Sequence, residues 1–255
     1  MKNTGITGYR NGIRNEEEIL QAINNKAYKD VSKHMKDIIK YMFKNVQDDD
    51  VIKAAKVPGF SKPDLKIMIN EESHYLSIKY GYACQVHKEE LSVFVEWLSD
   101  KGVSQRTIDA LLTYHYGDGT TDGTGERRMH QQEVLRYYSE AIREMNAVLN
   151  QDRFFVRDFV KRVVFDGNEE HKPSADFIYH GDIEEGVICS KASMLSYIKR
   201  KTFERLVNPH IGPIMFRPYA RYLSGEETHP EKRHQICFEW YRIEWDIAYI
   251  RQYDF

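Results

Sequence analysis

The chain has 255 residues, 41% hydrophobic and 13% aromatic, enough to bury one good core or one core with an elaborated second lobe, which excludes a disordered chain. A formal net charge of -2 excludes a global basic field, so any surface for a polyanion has to be a local patch. The cysteines Cys84, Cys189 and Cys237 lie far apart with no CxxC spacing, which argues against a disulfide framework and a zinc ribbon and fits a reducing cytoplasm.

The opening residues, MKNTGITGYRNGIRNEEE, lack the apolar core of a signal peptide, and no run approaches the roughly 20 apolar residues a membrane helix needs. A soluble cytoplasmic protein is expected. Asn15 reads as the N-cap of a helix with Ile19, Leu20 and Ile23 on one side and Glu16, Glu17 and Glu18 in its first turn, where acids suit the helix dipole. A second periodic run covers about Val31 to Val46, and VIKAAKV reads as a strand, with a helix as the alternative for so short a run.

The stretch SKPDLKIMINEESHYLSIKYG, Ser61 to Gly81, reads as a β-hairpin. With the turn centred on Glu71-Glu72 and Asn70 paired to Ser73, Asp64 falls opposite Lys79. Alternation puts Leu65, Ile67, Ile69, Leu76 and Ile78 on a buried face and Asp64, Ser77 and Lys79 on the other. KEELSVFVEWLSDKG then reads as a helix ending at Gly102, followed by a short helix in SQRTIDALLTYHY.

GDGTTDGTGERR is too rich in glycine for helix or strand and reads as a long loop. Its acids Asp118, Asp122 and Glu126 lack the spacing of an EF-hand, and no lysine follows the glycines as a P-loop requires. QQEVLRYYSEAIREMNAVLN and RDFVKRVVF read as helical, ADFIYHG and GVICS as strands around a turn, and KASMLSYIKRK as a helix. RHQICFEWYRIEWDI reads as a strand before a terminal helix or extension, its aromatic residues packing internally or forming a subunit interface. There is no HExxH and no GxSxG, so a zinc hydrolase or serine esterase lacks support.

Pro63-Asp64 followed by Ser77-Ile78-Lys79 resembles the signature of the PD-(D/E)XK nuclease superfamily, and the resemblance extends over roughly Asn15 to Leu98. It implies a restriction-endonuclease-like α/β fold, a mixed sheet flanked by helices, with residues 1–116 as the nuclease core and 117–255 as the glycine-rich loop and the DNA-recognition and oligomerisation half of the same compact unit. Ser77 stands where the family usually has an acid. In a similar subset of restriction enzymes a glutamate of the following helix substitutes, and here Glu89 is preferred over Glu90.

Phosphodiester hydrolysis is eased by a divalent cation that neutralises the phosphate and acidifies a bound water. Mg²⁺, with Mn²⁺ as substitute, is expected on Asp64, Glu89, the carbonyl of Ile78 and Glu16, with Glu18 second to Glu16. Lys79 is expected to orient the attacking water, and His87 stands beside the glutamate either as a hydrogen-bonding support or as an ordinary helix-start histidine.

From Ser190 to Arg221 seven lysines and arginines, Lys199, Arg200, Arg217 and Arg221 among them, stand against the single acid Glu204. These, with Arg127, Arg128 and Arg233, are the candidate DNA contacts, since guanidinium forks grip phosphate and guanine; the plain alternative is solvated surface charge. The expectation is a Mg²⁺-dependent restriction-type endonuclease acting on double-stranded DNA as a homodimer, with a cognate methyltransferase as a further partner. A non-catalytic DNA-binding protein on the same fold, or an unrelated interaction protein, are the alternatives.

Overall fold

A computed structural model describes residues 4–59, 61–81, 83–125, 127–168, 171–202, 207–219 and 230–253. In chain order the regular elements are α1 (Thr4–Ile23), β1 (Lys26–Ala27), α2 (Lys33–Met42), β2 (Val51–Lys56), β3 (Leu65–Ile69), β4 (Glu72–Lys79), β5 (Ala83–Glu90), α3 (Leu91–Asp100) and α4 (Gln105–Tyr116). They continue with α5 (Gln131–Tyr137), α6 (Ser139–Leu149), α7 (Arg153–Val160), β6 (Phe177–Gly181), β7 (Gly186–Ser190), α8 (Lys191–Arg200), β8 (His210–Ile211), β9 (Ile214–Pro218), β10 (Gln235–Tyr241) and α9 (Ile243–Tyr253). None of the described helices is long and apolar enough to cross a membrane.

The chain packs as two compact units, one made of 1–84, 161–197 and 242–255, the other of 85–160 and 198–241. Neither is a continuous stretch, so the consecutive halves expected at 1–116 and 117–255 are not the units in which the chain packs.

The first unit holds a six-stranded mixed sheet in the order β1-β2-β3-β4-β6-β7. The expected mixed α/β class is present: β1 to β4 form antiparallel neighbours, β4 and β6 run parallel, and β6 and β7 close the sheet as an antiparallel pair. A parallel pair needs a long crossover, and residues 80–176 supply it. One sheet face carries the core, where Leu65, Ile67, Ile69, Leu76 and Ile78 meet Ile19 and Ile23 of α1 and Met35, Ile39 and Met42 of α2. That is the face alternation predicts.

Three local expectations change. Helix α1 is already formed at Thr4, so Asn15 is not its N-cap; it lies mid-helix, 4% exposed, and its amide donates to the carbonyl of Gly181 at 2.8 Å. The run from Val31 shortens to α2, capped by Ser32, whose hydroxyl accepts from Met35 N at 3.3 Å. The hairpin register shifts by one residue in the turn: Ile69 pairs with Glu72 and Leu65 with Leu76. The loop is therefore Asn70-Glu71, with Asn70 at φ +54°, a left-handed conformation that asparagine tolerates better than glutamate.

The second unit holds a four-stranded sheet in the order β5-β10-β9-β8. Its core is aromatic: the Phe94 ring on α3 lies 4.9 Å from Phe238, 5.9 Å from Phe159 and 6.0 Å from Phe216. The helical run from Gln131 is two helices, interrupted at Tyr138, and α7 passes into a π-helical stretch, Lys161–Asp166.

His115 on α4 is 1% exposed and its Nε2 lies 2.8 Å from the Arg233 carbonyl. Burial pushes the imidazole pKa down from 6.5 to about 4, with the Arg233 carbonyl opposing that shift. Because the folded value lies below the unfolded one, the unfolded chain takes the proton first. The stabilising contribution is whole above pH 6.5 and is lost as pH falls toward 4. Urea denaturation followed from pH 7 to pH 4 should show a loss on the order of 3 kcal/mol from this group, and a His115→Asn variant should flatten that part of the profile.

Candidate active site

Asp64 immediately precedes β3: its N–H donates to the Leu76 carbonyl and its own carbonyl accepts from Val57 N. The strand pairing ends at Leu65 and Leu76, and the residue Asp64 meets just beyond it is Ser77, not a directly opposed Lys79. Since Ser77 and Lys79 are two apart on β4 they still share Asp64's face, so the expected trio survives the correction with Ser77 at its centre. Lys79 Nζ donates to Ser77 Oγ at 2.9 Å, and Ser77 Oγ lies 3.4 Å from Asp64 Oδ2. The ammonium and the carboxylate are 3.7 Å apart. Lys79 also donates to the Ile78 carbonyl at 2.9 Å, while the Ile78 N–H donates to Asp64 Oδ2 at 2.5 Å.

Exposure divides these residues by role. Ser77 is fully buried, whereas the side chains of Lys79 and Asp64 keep 16% and 21% of their surface in solvent. The serine hydroxyl lies between two groups that solvent reaches.

Glu16, from the middle of α1, joins this cluster. Burial raises its carboxyl pKa, and the negative charge of Asp64 raises it further, while Lys79 and Lys56 pull it back. Its neighbour Glu17 bonds Lys56 of β2 at 3.2 Å, and Glu18 faces away in an ion pair with Arg14. Of the acids in this helix Glu16 is therefore the one that acts on the hairpin. The Asn15 amide bond to Gly181 fixes the turn of α1 that carries it. Gly181, at φ +148°, has no room for a Cβ against the backbone of Glu185 and Gly186, so the acceptor is fixed as well.

Glu89 and Glu90 are not helical. Strand β5 runs to Glu90 beside β10 and α3 begins at Leu91; Cys84 and Val86 are buried in alternation, and Glu89 is buried one residue out of that phase. Glu89 belongs to the second unit, its side chain fully buried 3.5 Å from His87 Nε2, and His87 stacks on Phe238. Among the described residues no group of three or more His, Cys, Asp and Glu forms a set that could hold a metal ion. What the first unit offers is the carboxylate of Asp64 with that of Glu16 in its field, and the Ile78 carbonyl, which accepts from Lys79 Nζ. That donor set suits Mg²⁺, which is held by one or two carboxylates and keeps several waters.

Lys62 was not anticipated. It precedes Pro63-Asp64, and its ammonium donates to the carbonyl of Val163 in the π-helical stretch, 101 residues away. No local sequence signal could reveal that acceptor.

The candidate DNA contacts separate into structural and exposed residues. Arg128 is 7% exposed and donates to the carbonyls of Tyr114, His115 and Met129. Arg217 bonds Glu239 across β9 and β10 at 2.7 Å, and Arg233 bonds Asp118 at 2.6 Å. Burial works against the Arg217 charge, but Glu239 outweighs it and raises the pKa. Each of these guanidiniums, expected as a DNA contact, is engaged by a protein acceptor. The glycine-rich loop is correspondingly held: Asp118 accepts from Thr120 N and Oγ1 at 2.9 and 2.7 Å, and Asp122 accepts from Thr124 N and Oγ1 at 3.0 and 2.7 Å. Arg127, Lys199 and Arg200 are exposed, and Lys199 lies over the Phe154 ring at 4.7 Å. Arg221 lies outside the described residues.

No family model matches this chain, and no curated protein matches it in sequence.

Proposed function

We propose that this chain is a Mg²⁺-dependent DNA endonuclease of restriction type, hydrolysing phosphodiester bonds in duplex DNA at the Asp64–Ser77–Lys79 row. One observation carries the reading: a carboxylate and an ammonium 3.7 Å apart are held by a buried serine on a rigid hairpin, with a second carboxylate, Glu16, in the same field. A restriction-endonuclease-like arrangement of the mixed sheet is part of this proposal.

Asp64, Glu16 and the Ile78 carbonyl would hold the cation, with Mn²⁺ as substitute. When bound, it supplies Lewis-acid polarisation of the phosphate and an acidified water. Lys79 has two of its three N–H donors directed by Ser77 and Ile78, which aims the ammonium along the row, where it steadies the attacking water and the charge growing on the phosphate. Water adds to phosphorus, one ester P–O bond breaks, and the leaving oxygen takes a proton.

Each chain carries one such row and so cuts one strand. Cleavage of both is most simply achieved by a two-fold homodimer on a palindromic site, and a methyltransferase of the same specificity would protect the host's DNA. On α9, Trp245 and Tyr249 are 66% and 47% exposed, which supports a surface for a partner subunit, whereas Phe238 and Trp240 are buried. Light scattering with duplex DNA present should give twice the 30.1 kDa chain mass; a monomer that nicks one strand removes the symmetric arrangement and leaves the chemistry.

A second reading, a DNA-binding protein without catalysis, is favoured by Ser77 in the acid's place and by the two-carboxylate donor set. Supercoiled plasmid incubated with Mg²⁺, with Mn²⁺ and with chelator separates the two. Metal-dependent cleavage supports the endonuclease, a gel shift without cleavage supports the binder, and neither result overturns both.

A further inference from the structure

The face of the first unit's sheet that carries Asp64 does not stop at the catalytic row. Residues two apart on a strand share a face, and the observed pairing extends this one outward. The next row is Ala55, Lys66 and Tyr75; beyond it come Lys53, Met68 and Ser73. Across the sheet, on β6 and β7, the row that contains Ser77 is closed, since Ile178 and Cys189 are fully buried. The outer rows are open: Lys53, Ala55 and Ser73 are exposed, and Lys66, Met68 and Tyr75 are half-buried. Asp64 and Lys79 therefore sit where the covered part of the face meets the open part.

The open part is cationic. Among the described residues neither Lys53 nor Lys66 forms an ion pair, although acids are within the same hairpin. Lys66 instead lies over the Tyr75 ring, 5.7 Å from its centroid. The nearby carboxylates are already engaged: Asp176 accepts from Tyr75 N, Glu72 bonds His74, and Asp50 accepts from Gln47 N and Asn70. Two ammoniums without counter-charges, on a rigid surface that leads to a candidate phosphodiester site, complement a chain of phosphates.

We propose that Lys53 and Lys66 hold the phosphates of the nucleic-acid strand flanking the scissile one, with Tyr75 and Met68 as the apolar bed beneath its sugars, so that the strand is laid along the open sheet face into the Asp64–Lys79 row. The proposal rests on duplex DNA as the substrate of that row. It assigns the strand's track to the first unit's sheet rather than to the arginines of the second unit, three of which are committed elsewhere. The turn acids Glu71 and Glu72, at the far end of the hairpin, mark where a polyanion's path has to leave the surface.

The experiment is duplex binding at a series of salt concentrations, using the Asp64→Asn protein so that no cleavage intervenes. Each phosphate contact contributes about 0.9 to the slope of log K against log salt. A Lys53→Glu/Lys66→Glu double variant should lower that slope by roughly 2 and weaken binding more than tenfold at low salt. A Lys53→Thr/Lys66→Thr variant, whose residues suit an exposed strand, should give the same slope change with unchanged circular dichroism. An unchanged slope in the threonine variant overturns the track even if wild-type protein cleaves plasmid, and so does the absence of any duplex binding. If wild-type protein never cleaves but the slope falls as stated, the track stands and only the catalytic reading is lost.

Discussion

Asp64→Asn is expected to reduce Mg²⁺-dependent cleavage of duplex DNA by at least about a hundredfold, and Lys79→Ala by a comparable factor, with duplex affinity and fold largely retained. The asparagine keeps the shape of the aspartate and one acceptor for the Ile78 N–H, so the strand-entry bond at 2.5 Å can persist. What it removes is the negative charge that a hard cation needs and that Glu16 feels. Removing the Lys79 ammonium takes away the charge beside Asp64 and leaves the Ser77 hydroxyl in place. Neither residue belongs to the apolar face formed by Leu65, Ile67, Leu76 and Ile78, so neither loss opens a cavity. Circular dichroism and denaturation midpoints should match wild type within experimental scatter, which separates chemistry from folding. Cleavage by either variant within tenfold of wild type would remove these residues from the chemistry.

Local signals carried the hairpin; long-range ones did not carry the site. Alternation from Leu65 to Lys79 is strong enough to specify both faces, because Leu65, Ile67 and Ile69 on one strand and Leu76 and Ile78 on the other fall at alternate positions. The turn was misplaced by one residue because Asn70 and Glu71-Glu72 offer two plausible centres, and only Asn70 suits a positive φ. Asp64, Ser77 and Lys79 still fell on one face, since moving the turn shifted the pairing by two residues and period 2 preserves sidedness. Glu16 was legible as an acid in a helix, yet what aims that helix is the Asn15 bond to Gly181, 166 residues away. The same blindness explains the arginines: Arg217 looks like a DNA-binding fork in FRPYARYL, but its partner, Glu239, becomes its neighbour only when β9 pairs with β10. Glu89 failed for a local reason. KEEL has the composition of a helix start, but β5 takes its first three residues, Lys88 to Glu90, with Glu89 buried beside His87.

Arg128→Met is expected to destabilise the second unit by about 2–4 kcal/mol, while Arg127→Met next to it changes stability by less than about 0.5 kcal/mol. Arg128 lies against the end of α4, where the last four carbonyls of a helix have no partner within it. Its Nε donates to the His115 carbonyl at 3.1 Å and its NH2 to the Tyr114 carbonyl at 3.3 Å, while NH1 reaches the Met129 carbonyl at 3.1 Å. A cation at a helix C-terminus also meets the negative end of the dipole. Gly117, at φ +58°, ends the helix so tightly against Val134 and Arg128 that even a Cβ would collide with Val134. The thioether of methionine fills much of the space but donates nothing, so buried carbonyls lose their partners in a place water does not readily reach. Hydrogen exchange should read this directly, as faster exchange of amides in the last turns of α4, and the urea midpoint should fall with it. The slope of duplex affinity against salt should stay at the wild-type value in Arg128→Met, because the guanidinium caps a helix and holds no phosphate. A stable Arg128→Met protein whose salt slope drops by about 1 would return this residue to the DNA surface and make the helix cap incidental.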